Sequence, residues 1–300
     1  MRFEYHIPVL LKESINGLMV KPEGIYVDVT FGGGGHSKEI LRRLTTGRLI
    51  AFDIDEDAKM NVIQSDRFLF LNQNFRFLKN NLKYYGINKI DGLIADLGVS
   101  SHHFDVEERG FSFAKGGLLD MRMNRKGKLT AKIVLKTYTK ERLENVFLKY
   151  GEIHNSKKLA EKIVNYRTNK EIDKIKEFIS IIKSCVAKSY ENKYLAKVFQ
   201  ALRIEVNQEL ENLKQMLYQT VDLIRTDGRL VVITYHSLED RLVKNFIRKG
   251  KFEGEAEKDI YGNVETPFNQ VNKKVIIPGK EEIIRNSRAR SAKLRIARRN

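Results

Sequence analysis

Apolar positions in this chain repeat with two periods, and the switch between them sets its organisation. Between residues 25 and 97, short β-branched and aromatic runs alternate with stretches whose apolar residues recur every three to four positions. The runs predict strands over 25–30, 49–53, 68–72 and 91–97, and the stretches predict helices over 37–45, 56–64 and 75–85. Such alternation specifies an α/β fold with a parallel sheet and helices on both faces. From about residue 130 the helical period stands alone. Thr139 caps a helix with Leu143, Val146, Phe147 and Tyr150 on its apolar face and Gly151 at its end. A second helix follows over 156–167, and a third starts at Asp173 with Ile175, Phe178, Ile179 and Ile182. One long helix is expected over 195–224, then a fifth strand over 229–235. Residues 250–284 read as polar loop, and Leu294 and Ile296 alternating with Lys293 and Arg295 predict a final edge strand with one basic face. The helix-only block falls between the fourth and fifth strands and reads as an insertion. Residues 1–105 and 195–300 then form the sheet domain, and 106–194 an inserted all-helical domain.

The first strand runs into Thr30-Phe31-Gly32-Gly33-Gly34-Gly35-His36-Ser37. Glycines between a strand and a helix admit positive φ and let a ligand approach the backbone, and the helix N-terminus behind them offers unpaired N–H groups. The turn suits a cofactor carrying phosphate or carboxylate. Asp53 ends the second strand 21 residues after Gly32, where a carboxylate accepts hydrogen bonds from ribose hydroxyls. NAD and S-adenosylmethionine both have such a ribose. The dinucleotide pattern asks for Gly or Ala where this chain has Ser37 or Lys38, which favours S-adenosylmethionine and keeps an NAD-dependent oxidoreductase as the rival. At the third strand end, Phe75 either lies on an adenine ring or packs inward at a helix start. Asp96 ends the fourth strand, and a carboxylate there is costly to bury without hydrogen bonds. Many enzymes that methylate exocyclic amines carry Asp/Asn/Ser-Pro-Pro-aromatic at this point; here the residues are Asp96-Leu97-Gly98-Val99. His236, directly after the fifth strand, either orients a substrate and relays a proton or is structural. Gln200, Arg203 and Asn207 share one helix face, as a polar wall or a solvated surface.

Composition adds a partner and a compartment. The 300 residues are 42% hydrophobic, enough for a sizeable core, and the formal charge of +17 suits a polyanion. The single cysteine, Cys185, placed within a helix of the insertion, excludes a disulfide framework and argues for the reducing cytoplasm. No N-terminal signal pattern and no membrane-length apolar run is visible, so no membrane partner is expected. No metal-ligand spacing stands out, and no metal is expected.

Seven stretches together resemble one family. They are 30–37, Asp96-Leu97-Gly98-Val99-Ser100-Ser101, Glu108-Arg109-Gly110-Phe111-Ser112-Phe113, Leu119-Asp120-Met121-Arg122-Met123, Phe199-Gln200-Ala201-Leu202-Arg203-Ile204, His236-Ser237-Leu238-Glu239-Asp240-Arg241 and Arg288-Ala289-Arg290-Ser291-Ala292-Lys293-Leu294-Arg295. In order and across nearly the whole chain, they resemble the bacterial ribosomal RNA small-subunit methyltransferase H (MraW) family. The resemblance implies a class I (Rossmann-like) methyltransferase sheet interrupted by a helical domain. It implies S-adenosyl-L-methionine as donor and the N4 amine of one decoding-region cytidine in small-subunit rRNA as acceptor, within an assembled or nearly assembled subunit. A homodimer is a further partner to test, and a non-catalytic RNA-binding assembly protein is the alternative. Carried over by position, the cofactor set is Gly34, Gly35, His36, Asp53, Phe75, Asp96 and His103. His103 departs from the relatives' pattern, which commonly reads Ser-Ser-Pro-Gln where this chain has Ser100-Ser101-His102-His103. Asp120 and His236 are the catalytic candidates, and Arg122, Arg203, Arg288 and Arg290 the RNA contacts.

Overall fold

The computed structural model describes residues 8–256, 261 and 265–300. In chain order, the elements before the insertion are α1 (Leu11–Leu18), β1 (Ile25–Asp28), α2 (Gly35–Arg43), β2 (Arg48–Phe52), β3 (Phe68–Leu71), α3 (Leu78–Tyr84) and β4 (Ile90–Asp96). The helical block holds α4 (Ser101–Asp105), α5 (Ala131–Thr137), α6 (Lys140–Gly151), α7 (Ser156–Arg167), α8 (Ile175–Lys183) and α9 (Glu191–Asn207). The chain then returns through α10 (Glu209–Leu223), β5 (Ile224–Thr234), α11 (Ser237–Lys249), β6 (Phe268–Gln270), α12 (Lys280–Arg285) and β7 (Lys293–Arg299).

The sheet has the order β3-β2-β1-β4-β5-β7-β6. β3 to β5 are parallel, and β7 runs antiparallel to both its neighbours. Strands buried on both faces read as continuous apolar runs, with successive side chains going to opposite sides. Val27, Ile50, Leu93 and Val232 enter one core with Leu213, Met216 and Leu217 of α10. Tyr26, Leu49, Ile94, Val231 and Ile233 enter the other with Ile15 of α1 and Ile40 of α2. β7 is therefore an inner strand, not the expected edge. The triplet Phe268-Asn269-Gln270, within the stretch read as loop, pairs outside it, with Phe268 buried in the core. The basic side of β7 is partly engaged: Arg295 donates to Asp240 at 2.7 Å and Lys293 lies 3.4 Å from the same carboxylate.

Two compact units divide the chain at other points than the sequence predicts: Met1–Gly98 with Leu210–Asn300, and Val99–Glu209. Val99 and Phe104 at one end, and Leu195, Val198, Phe199 and Leu202 of α9 at the other, pack into the helical unit's own core. The expected helix over 195–224 is two helices. Gln208 takes a left-handed conformation (φ 52°, ψ 38°), and directly beyond it Glu209 receives Arg203 in a two-point ion pair. The expected helix over 56–64 is a 3-10 turn, Glu56–Asn61, capped by Asp55. Cys185 lies just past α8, buried, rather than within a helix.

Within the helical unit the polar face of α9 is structural. Asn207 accepts from Met123 N and donates to Met121 O, while Gln200 donates to Tyr150 O. Buried Arg109 donates to the carbonyls of Arg122 and Met123. Thr139 caps α6 through a bond from Arg142 N. Among the described residues, no helix is long and apolar enough to cross a membrane.

Candidate active site

The carboxyl ends of parallel strands are where such sheets bind ligands, and here those ends of β1, β2 and β4 collect carboxylates. Asp28, the last residue of β1, is buried. One of its oxygens accepts from Thr30 N at 3.0 Å and the other from Ser37 Oγ at 2.7 Å, so it ties the start of the glycine turn to α2. Thr30 Oγ1 in turn accepts from Asp96 N at 2.6 Å. This chain of bonds fixes the turn relative to the end of β4. Sequence reasoning did not single out Asp28; the signal was an acid inside an otherwise apolar strand.

The turn itself is anchored by the buried ring of Phe31, which packs on Phe68 and Phe70 at centroid distances of 5.5 and 5.2 Å. Gly34 precedes α2 with φ 74°, and a Cβ there would come within 2.9 Å of the Phe31 ring. Gly32 has φ 50°, and the space its Cβ would fill is open apart from Thr30 O at 3.9 Å. The turn therefore offers open space at Gly32, as a ligand cradle requires, while Gly34 allows it to fold back over the Phe31 ring. A Cβ on Gly35 would instead strike Pro8 at 2.7 Å. Asn61 donates to Gly32 O at 2.9 Å, which explains why the preceding turn is tight. This residue was also missed.

Asp53 sits just past β2. Its two oxygens accept from Gly32 N at 2.7 Å and Asp55 N at 2.8 Å, so backbone amides hold it and leave lone pairs over. Burial pushes its pKa up to about 7 against those two hydrogen bonds, with Asp55 and Asp28 adding repulsion. Asp96 is also raised to about 7, by burial first, while the hydrogen bond from Tyr235 pulls it down and Asp28 and Glu239 push it up. Tyr235 Oη donates to Asp96 Oδ1 at 2.8 Å, and His36 Nδ1 lies 3.9 Å from Asp96 Oδ2. The other nitrogen of His36 meets Val9 O at 3.2 Å. Phe75 opens a 3-10 turn, half-buried against the sheet core, so the packing half of its two readings is present.

Four expected site residues have local duties. His236 caps α11: Nδ1 accepts from Glu239 N, and Nε2 lies 3.2 Å from buried Glu239 Oε1. Nδ1 thus serves the helix cap, the structural half of its two readings, while Nε2 is buried without a hydrogen-bond partner among the described residues. Asp120 is gripped at both oxygens by Arg122, at 2.8 and 2.7 Å, and Arg122 also donates to Arg125 O and Gly127 O. Arg203 is spent on Glu209 at 2.9 and 2.8 Å, a pair with side chains 14% and 8% exposed. Both arginines are thus loop and helix fasteners rather than open RNA contacts. Arg288 and Arg290 stand exposed on the 3-10 turn Ser287–Ser291. His103 belongs to the helical unit, where it is buried and forms a capping box with Ser100.

A doubly wound sheet with an inner antiparallel β7, a glycine turn after β1 and acids after β2 and β4 defines a class I methyltransferase. The comparisons with known proteins agree in detail. The chain belongs to the MraW methylase family, which it matches over residues 4–300. It is 59% identical over 294 residues to the ribosomal RNA small subunit methyltransferase H of Phocaeicola vulgatus, covering 98% of this chain and 97% of that protein. The protein of that name from Bacteroides fragilis strain YCH46 is 58% identical over the same shares. An rRNA methylase structure from Streptococcus thermophilus aligns over 98% of both chains with 11% identity and a TM-score of 0.44.

Proposed function

We propose that this chain transfers the methyl group of S-adenosyl-L-methionine to the N4 amine of one cytidine in the decoding region of small-subunit rRNA, in the cytoplasm. The observation that carries the donor is the cluster of acids at the carboxyl ends of the strands. Burial raises the proton affinity of Asp53 and Asp96, Asp28 adds to both and Glu239 to Asp96, in a protein of net charge +17. A pyrophosphate would be repelled there, whereas a ligand with a sulfonium and an ammonium group is attracted. The nucleotide and N4 position follow from family membership.

In this reading the open side of Gly32 admits the cofactor, Gly34 and Gly35 hold the turn against Phe31 and Pro8 beside it, and Asp53 accepts from its ribose hydroxyls. Phe75 offers a ring face to the adenine, and His36 and Asp96 line the same crevice. His103 is the seventh residue of the family's set. Arg288 and Arg290 in the tail contact the RNA, and substrate recognition is the role of the helical unit. The cofactor supplies an already activated methyl group. The protein's work is alignment, together with making the amine nucleophilic. The N4 lone pair is delocalised into the ring, so an acceptor bonded to an N4 hydrogen favours the pyramidal form that attacks. We assign this to Asp96, whose carboxylate is held by Tyr235 and whose main chain is held by Thr30. The target base leaves its stack to enter.

The test uses labelled S-adenosylmethionine, purified protein and small subunits from cells lacking this gene, with products digested to nucleosides. Label in N4-methylcytidine is expected. Label in another nucleoside refutes the base, and cofactor binding with no transfer to subunits or free rRNA refutes the enzyme in favour of an assembly protein. Sedimentation of the protein alone reads the homodimer.

A further inference from the structure

The segment joining β3 to β4 carries a surface that the cofactor crevice does not use. Residues 67–90 include Arg67, Arg76, Lys79, Lys83 and Lys89 and no acidic residue. Leu78 and Leu82 bury one face of α3. Away from that face, Phe77 at the end of the 3-10 turn before α3 and Tyr84 at the end of α3 are 46% and 84% exposed. Tyr85 stands edge-on to Tyr84 with centroids 5.1 Å apart. Lys79 and Lys83 of α3 share one stripe by helical spacing. The Arg76 guanidinium lies 5.2 Å from the Phe77 ring centre. Lys79 forms an exposed ion pair with Asp222, and Lys89 donates to Asp222 O. Exposed ion pairs are weakly held, so a phosphate can compete for Lys79.

Adjacent aromatic rings left in water, beside cations on a segment that carries no acid of its own, have the chemistry of a single-stranded nucleic acid platform. Ring faces stack bases, and cations follow the phosphates. An apolar protein partner would have no use for the cations, and an acidic one none for the rings. We propose that α3 and the 3-10 turn before it form an accessory docking surface for unpaired nucleotides of the substrate RNA. The proposal rests on the substrate being RNA.

The experiment is fluorescence anisotropy of the full chain with a labelled single-stranded RNA oligonucleotide, alongside calorimetry with S-adenosylmethionine. Tyr84→Ala should weaken RNA binding about 5- to 100-fold, and Tyr84→Phe should restore it. Lys83→Ala should lower the salt slope by about one. Cofactor affinity should stay unchanged in all three. RNA binding within about twofold of wild type for both alanine variants overturns the proposal. Unchanged RNA binding with weakened self-association in sedimentation overturns it too, assigning the face to a second copy. If these losses appear while the wild type methylates no rRNA, the surface stands and the enzymatic reading fails.

Discussion

Replacing Tyr235 by Phe isolates one bond in the proposed site. The ring that packs beside Gly98, 3.4 Å from where a Cβ would stand, is kept, and only the hydroxyl that donates to Asp96 at 2.8 Å is lost. Burial and the neighbouring Asp96 carboxylate hold the Tyr235 pKa well above 10, so the phenol is a donor across the working range. Its bond favours ionised Asp96 and lowers a pKa that burial has already raised to about 7. A hydrogen bond to a charged group is worth about 1.5–3 kcal/mol, and about 1.4 kcal/mol corresponds to one pKa unit, so its loss should raise the Asp96 pKa by about 1–2 units. If ionised Asp96 is the working form, kcat/KM rises with pH through that pKa, since this parameter reports free-enzyme groups. Asp53, also near 7, is untouched. The wild-type profile should therefore rise through two overlapping steps, and in Tyr235→Phe one step should move up by about 1–2 units while the rate recovers at high pH. The measurement is initial methyl transfer from about pH 5 to 9 at limiting cofactor. A uniform drop in rate with an unmoved profile would refute the reasoning.

Other changes test neighbouring links. Asp53→Ala removes the ribose acceptor and strands the Gly32 amide now bonded at 2.7 Å. Calorimetry should show S-adenosylmethionine affinity falling by about 100-fold or more, and retained affinity would end that role. Arg203→Met leaves Glu209 buried without its partner, which should destabilise the chain by about 3–5 kcal/mol in urea unfolding, and adding Glu209→Leu should recover most of it. A double variant as unstable as the single one would show that the pair is not what holds the helix break. For Asp96, the folded pKa of about 7 exceeds the unfolded 3.8, so the native state binds the extra proton and wild-type stability relative to Asp96→Asn falls as pH rises from about 4 to 7, by as much as ~4 kcal/mol. Thermal unfolding of the ligand-free pair across that window checks the sign, and a flat difference would mean that Asp96 titrates normally.

What could be read from the sequence, and what could not, divides along the range of the interactions. The glycine turn, Asp53 and Asp96 were legible because each is a local event: an apolar run that stops at a special residue. Thr139 was legible as a cap for the same reason. Bonds that close through space left no local mark. Tyr235 reaches Asp96 across 139 positions, and Ser37 reaches Asp28 around the turn. The apolar period of 195–224 continues through Gln208, so nothing in it announced that Arg203 and Glu209 would pair across a break. The inner place of β7 was equally hidden, because it depends on a three-residue partner, β6, within the stretch read as loop. The arginines show the consequence for function. In sequence, Arg122, Arg203, Arg288 and Arg290 are equal cations. In the fold, two are consumed by carboxylates and two stand on the surface. Positive charge in the sequence therefore predicts a polyanionic partner, but only the pairing of each cation says which ones remain to meet it. The exposed pair of Lys79 with Asp222 is therefore more open to RNA than the more buried pairs of Arg122 and Arg203.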